Sequence, residues 1–189
     1  MHLFSNRVIG AWWILFLAVW GVGALGAKPA VQRQSLASEL SHRIFLILAV
    51  VCLFLRFPAI ALWRPVLESG RAGVTAGEVV AALGIAFAFW ARATLGSNWS
   101  GTVTFKEDHE LIQRGPYALA RHPIYTGLLL GFIGTALAAG TPAGWVGVVL
   151  AIVAFKRKSL IEERVMIEHF GDRYASYARQ VRALIPYIW

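Results

Sequence analysis

Apolar residues run along this chain in long unbroken blocks, not in strand-like alternation or one-sided helical stripes. A bilayer core takes about 20 predominantly apolar residues per helix. Five blocks meet or approach that length: Val8 to Gly26, Arg43 to Trp63, Thr75 to Leu95, Ile124 to Ala139 and Ala143 to Phe155. Trp12, Trp13 and Trp20 suit the interfaces of the first block. That block reads as a retained helix and not as a signal peptide, because Arg7 is the only n-region charge and the apolar stretch is long for an h-region. In the second block Pro58 is expected to kink the helix, and Arg56 either to snorkel to the head groups or to face the bundle interior. Thr75 is expected to cap the third. The last two blocks are short and separated only by Gly140-Thr141-Pro142, so they read as a tight helical hairpin. The expected fold is all-α: a polytopic membrane protein with about five transmembrane helices, a C-terminal hairpin and a cytoplasmic C-terminal helix. It divides into a three-helix membrane region over 1–95 and a second region over 96–189, made of a loop, the hairpin at 123–157 and the last helix.

Composition supports the membrane class. Of 189 residues 58% are apolar and 15% charged, with a mean hydropathy of +0.61. A soluble domain of this length needs more charge to cover its surface. The net charge of +8 is scattered through short segments between apolar blocks, with no basic helix and no aromatic stacking platform. That layout fits anionic lipid head groups and argues against nucleic acid. It also orients the chain. With five spans, one side holds nearly all the basic residues and the other only Arg7, Arg64 and Arg71, so the N-terminus is expected outside and the C-terminus in the cytoplasm. The single cysteine, Cys52, cannot form an internal disulfide, and no Cys/His set has zinc spacing, so no metal is expected.

Gly21-Val22-Gly23-Ala24-Leu25-Gly26 matches a dinucleotide fingerprint by letter only, since it ends an apolar helix with no preceding strand. The run from Gly115 to Gly127 carries more chemistry. Gly115-Pro116 makes a turn, and Pro123 suits the first turn of a helix, which places Arg121 and His122 at a helix N-terminus. Such a terminus offers free backbone N–H donors and favours anions. The plain alternative has Arg121 snorkelling to lipid phosphate and His122 serving as a cap. Glu162-Glu163 lies beyond the hairpin, after the basic stop Lys156-Arg157-Lys158, and by itself reads as a solvated helix face. Tyr174, Tyr177, Ala178 and Val181 share one helical face, which is more often packing than a cofactor contact and could also lie on the membrane surface.

In their order and spacing these pieces resemble the isoprenylcysteine carboxyl methyltransferase family. The resemblance rests on Arg121-His122-Pro123-x-Tyr125-x-Gly127, the hairpin, Glu162-Glu163 and Phe170-Gly171-x-x-Tyr174-x-x-Tyr177, and covers Gly96 to Trp189. Gly96-Ser97-Asn98-Trp99 and His109-x-Leu111 before Gly115 are similar to that family's approach to the motif. The wider superfamily takes in phospholipid methyltransferases and, more distantly, sterol reductases. The resemblance implies S-adenosylmethionine as cofactor. It implies that His109, Glu110, Leu111 and Ile112 line the adenosine side, with Tyr117, His122, Pro123, Ile124 and Tyr125 in contact and Glu162 reaching in from beyond the hairpin. Lys158 falls where the family holds an arginine near the substrate carboxylate; lysine lacks the bidentate fork, so Lys158 and Arg157 both stand as candidates for the substrate side. Arg121 would orient an anionic group, and Glu162 or Glu163 would meet the cofactor's ammonium or sulfonium, which makes Arg121 and Glu163 the catalytic candidates. The implied acceptor is lipophilic or small, of prenylcysteine or other lipid-like type, and reached through the membrane. Two rivals remain: an NADPH-dependent membrane reductase of the sterol-reductase type, and a scaffold without activity.

Overall fold

A computed structural model describes residues 6–25, 36–66, 70–96, 99 and 111–184. Six α-helices account for most of them: α1 Arg7–Leu25, α2 Leu36–Phe54, α3 Gly70–Leu95, α4 Pro123–Ala139, α5 Pro142–Phe170 and α6 Asp172–Gln180. Among the described residues there is no strand. By length and composition α3 can cross a membrane, while α1 over Arg7–Gly23 and α4 are apolar but shorter. Large apolar side chains point outward along several helices, among them Leu17 and Val22 of α1, Ile44 and Ile47 of α2, Leu83 of α3 and Val149 of α5. Soluble monomers seldom leave so many large apolar side chains in water.

Three expectations about boundaries change. The second block is helical from Leu36 to Phe54, earlier at both ends than Arg43 to Trp63. Its polar start Leu36 to His42 extends the helix, and Pro58 lies in a turn after the helix end, so it kinks nothing and Arg56 sits outside the helix. Thr75 is interior, because α3 already begins at Gly70. The fifth block does not end at Phe155, nor the hairpin at 157: α5 runs unbroken for 29 residues through the basic triplet and the glutamate pair to Phe170. At 1.5 Å per residue it is about 43 Å long, well over the roughly 30 Å of a hydrocarbon core. Nothing in Lys156 to His169 breaks a helix; Gly171, at φ 52°, does, and α6 starts after it.

The hairpin turn follows from its three residues. Gly140 closes α4 in the left-handed conformation at φ 61°, Thr141 accepts a hydrogen bond from the Gly144 amide at 3.3 Å, and Pro142 opens α5. The hairpin is tight only at the turn. Beyond it α4 packs most extensively along α3, across the division at residue 95, while α5 packs along α2. The α3–α4 seam is made of small residues: Gly77, Ala81, Gly84 and Ala88 face Gly127, Gly131 and Gly134. A Cβ on Gly127 would stand 2.6 Å from the Gly84 carbonyl, so the backbones are too close for any side chain. Close approach of this kind supplies packing where apolar burial gives no advantage over lipid.

The core also holds α1 against the hairpin. The Trp13 indole stacks on Phe132 at 4.9 Å and donates to Thr135 Oγ1 at 2.9 Å. Further along, Arg92 of α3 donates to the Gly23 carbonyl of α1 and lies 4.2 Å over the Trp99 ring. Replacing Gly134 with valine should lower stability by about 1–3 kcal/mol through overpacking, because the new Cβ meets the Ala81 backbone. Thermal unfolding in detergent measures it; an unchanged melting temperature would mean that the seam is looser than described.

Candidate active site

The start of α4 and the far half of α5 meet at the end of the hairpin opposite its turn. Residues 115–118 form a short 3-10 turn, with Gly115 at φ 62° and Pro116 in its first turn, which delivers Tyr117 into the interior. Tyr117 packs with Ala91, Trp99 and Ile124, and Ile112 lies against this group. Pro123 occupies the first position of α4, as its missing N–H permits, and His122 is the residue before the helix.

Glu162 and Glu163 are consecutive on α5, and both turn toward α4. The Nε and Nη2 of Arg121 donate to Glu163 Oε1 at 2.9 and 2.6 Å. The His122 Nε2 lies 3.1 Å from the same oxygen, and its Nδ1 lies 3.3 Å from Glu162 Oε2. The Tyr125 hydroxyl donates to Glu162 Oε1 at 2.6 Å. Lys158, one turn before Glu162, holds its ammonium 4.0 Å from that carboxylate and 5.6 Å from the Tyr125 ring centre. The rings of His122, Tyr125 and Phe155 stack nearly parallel, at 5.6 and 4.9 Å, and fix the imidazole in plane.

Both His122 nitrogens face carboxylate oxygens, so both must donate, and the ring is an imidazolium. Burial alone disfavours that charge, but the hydrogen bonds and charges of Glu162 and Glu163 outweigh it and raise the His122 pKa above its ordinary 6.5. Burial likewise opposes ionisation of the glutamates. For Glu162 the hydrogen bond to His122, the Lys158 charge and the Tyr125 hydroxyl still bring the pKa below 4.5. For Glu163, His122 and Arg121 do the same. Burial, reinforced by the Glu162 charge, pushes the Tyr117 phenol well up, so it stays protonated. Three cations, Arg121, His122 and Lys158, then face two carboxylates, which leaves one positive charge in excess. Lys158 is the cation held most loosely.

The cluster thus unites Arg121, His122, Tyr125, Lys158, Glu162 and Glu163, with Tyr117, Ile112, Pro123 and Ile124 beside it. Leu111 opens the described segment leading into the 3-10 turn, half-buried. His109 and Glu110 lie outside the described residues. Arg157 is exposed, with no contact to the cluster given by the geometry, so of the two basic candidates Lys158 is the one brought to the site.

The helix N-terminus also differs from expectation. The Arg121 and His122 amides are not free for an anion: they donate to the carbonyls of Arg182 and Ala183 at 2.8 and 2.9 Å. Thr126 Oγ1 donates to the Leu184 carbonyl at 2.5 Å, and Leu184 is fully buried. The Tyr177 hydroxyl donates to the Tyr117 carbonyl at 2.6 Å, which gives the tyrosine stripe of α6 its packing role. Sequence reasoning missed Thr126 and residues 182–184, since a hydroxyl bound to a distant carbonyl leaves no pattern in the chain.

Residues 72–173 match the family model described as phospholipid methyltransferase. The chain belongs to this methyltransferase family, in its isoprenylcysteine carboxyl methyltransferase-like branch. A protein-S-isoprenylcysteine O-methyltransferase of Tribolium castaneum is 36% identical over 59% of this chain and 41% of its own length. A probable enzyme of the same name from Oryza sativa subsp. indica is 30% identical over 71% of this chain and 68% of its own. Similar too is the solved structure of a eukaryotic intramembrane Ras methyltransferase, isoprenylcysteine carboxyl methyltransferase, with a TM-score of 0.61 at 28% identity. That match covers 84% of this chain and 55% of the other. The family match begins inside α3, earlier than the Gly96 at which the sequence resemblance starts, in keeping with the α3–α4 seam.

The signs of the shifts set a pH dependence. The raised His122 pKa contributes stability that is fully present below about 6.5 and lost as pH climbs through the folded-state value. The lowered glutamate pKa values contribute stability present above 4.5 and lost as pH falls through theirs. The melting temperature should therefore hold between these limits and decline on the alkaline side of 6.5. His122→Gln should remove the alkaline decline; a mutant profile parallel to the wild type would show that His122 is not the titrating group.

Proposed function

We propose that the chain is a membrane-embedded S-adenosylmethionine-dependent methyltransferase that transfers the methyl group to a carboxylate on a lipid-tailed, prenylcysteine-type acceptor. The observation that carries this reading is the convergence of Arg121, His122 and Tyr125 on Glu162 and Glu163 within the segment matched by the family model. The names of the relatives support the acceptor class, and the outward apolar side chains of α1 to α5 support the bilayer. The five apolar blocks support five spans, and for that number the distribution of basic residues supports an N-terminus outside and a site on the cytoplasmic side.

The residues fit the cofactor's charges. Glu162 keeps part of its carboxylate open to solvent and would meet the ammonium or sulfonium. Tyr117, Ile112 and Tyr125 offer an apolar and aromatic wall for the adenosine. Lys158, with the excess positive charge, would hold the acceptor carboxylate beside it. Bound S-adenosylmethionine supplies an activated methyl carbon and a good leaving group. The protein's task is then to orient, exclude water and stabilise charge, and a carboxylate acceptor needs no general base at neutral pH. That removes any need to deprotonate the imidazolium of His122, which acts as a fixed spacer between the two glutamates.

Calorimetric titration of the detergent-purified protein with S-adenosylhomocysteine, beside NADPH, tests the cofactor. Saturable micromolar binding of the first, weakened at least tenfold in Glu162→Gln, is expected. Binding of NADPH alone would replace this reading by the reductase, and binding of neither by a scaffold. Lys158→Ala should raise the acceptor KM with little change in kcat, and Lys158→Arg should restore it; a loss confined to kcat would remove Lys158 from acceptor binding.

A further inference from the structure

Arg121 is not arranged as an anion receptor. Its guanidinium makes four hydrogen bonds: Nε and Nη2 to Glu163 Oε1, and Nη1 to the carbonyls of Ala178 and Val181 at 3.0 and 2.5 Å. A guanidinium has five N–H donors, and the Tyr174 hydroxyl also lies within its hydrogen-bonding reach, so too few remain for bidentate capture of a carboxylate. The side chain is 12% exposed. Its Nη1 instead caps the end of α6, where unsatisfied carbonyls favour a cation.

The same arginine is held from behind by the chain it caps. Its amide and that of His122 donate to residues 182 and 183, and one helical turn on Thr126 Oγ1 donates to residue 184. The segment after α6 thus lies across the start of α4 through three backbone carbonyls. Glu163, bound by Arg121, is also the oxygen partner of His122, so any shift of the segment is transmitted to Glu163 through Arg121 and on to Glu162 through His122. Tyr177 ties α6 to the Tyr117 backbone and completes the enclosure.

We propose that Arg121 and Thr126 are positioning residues: together they strap residues 181–184 across the start of α4, and so hold His122 and Glu163 in the register that cofactor binding requires. The inference rests on the methyltransferase reading for its ligand. It assigns Arg121 a role through Glu163 and the backbone, in place of contact with the reacting groups.

Thr126 gives the decisive variants, since it lies outside the charge cluster. Thr126→Val keeps the shape and loses the donor, whereas Thr126→Ser keeps the donor and loses a methyl. Each variant would be titrated with S-adenosylhomocysteine well below its melting midpoint, with amide hydrogen exchange followed at Arg121 and His122. Thr126→Val and Arg121→Lys are expected to weaken binding tenfold or more and to speed exchange at both amides, while Thr126→Ser matches wild type. A purely packing role at 126 would reverse the order of valine and serine and overturn the proposal. So would an Arg121→Lys loss of affinity accompanied by wild-type behaviour of Thr126→Val, which returns Arg121 to direct ligand contact. If the wild-type protein bound no S-adenosylhomocysteine, the methyltransferase reading would fail, and exchange at the two amides would still decide whether the strap exists.

Discussion

Oε1 of Glu163 accepts from Arg121 Nε, Arg121 Nη2 and His122 Nε2. A carboxylate oxygen so placed in a largely buried setting cannot lose a partner cheaply, because the remaining charges would stand uncompensated. Everything at this end of the molecule is referred to that atom. Through Arg121 it reaches the end of α6, and through His122 it reaches Glu162, Tyr125 and Lys158. The opposite signs of the pKa displacements at His122 and the glutamates are one ionic arrangement seen from its two sides.

Such a cluster works only if two helices keep fixed registers, and the rest of the fold provides them. The glycine seam locks α4 to α3 by backbone contact, where a slip of one residue would drive a Cβ into a carbonyl. On the other flank α5 lies along α2, with Gly147 against Ala49 and Leu53. The Gly140–Thr141 turn joins the two pairs at one end, and the ring stack of Phe132, Phe155, Tyr125 and His122 runs between them toward the other. Polar chemistry therefore sits at the end of a scaffold whose interior is almost wholly apolar.

The sequence disclosed much of this, unevenly. Block hydrophobicity located five helical cores, and Gly140-Thr141-Pro142 was legible as a turn because each residue has its own backbone preference. Helix ends were misjudged where polar residues extend a helix, as at Leu36 to His42 and Lys156 to His169: hydropathy reports solvent, not backbone conformation. Of the candidate site, Arg121, His122, Tyr125 and the two glutamates were found through motif resemblance, and Lys158 was separated from Arg157 only by which face of α5 turns inward. The contacts of Thr126 and residues 182–184 were invisible, since backbone carbonyls carry no sequence signature.

The uninterrupted length of α5 has a further consequence in a bilayer. Glu162 stands 20 residues after Pro142, a climb of about 30 Å along the helix axis, which is close to the hydrocarbon thickness itself. On the proposed five-span topology the helix would act as a ruler: with the Gly140 turn at one surface, it would deliver the charged cluster to the opposite boundary between acyl chains and head groups. The proposed lipid-tailed acceptor, anchored by its own chain, would arrive at that same depth. Donor and acceptor would be matched in height before either makes a specific contact, and a thicker or thinner membrane would detune them together.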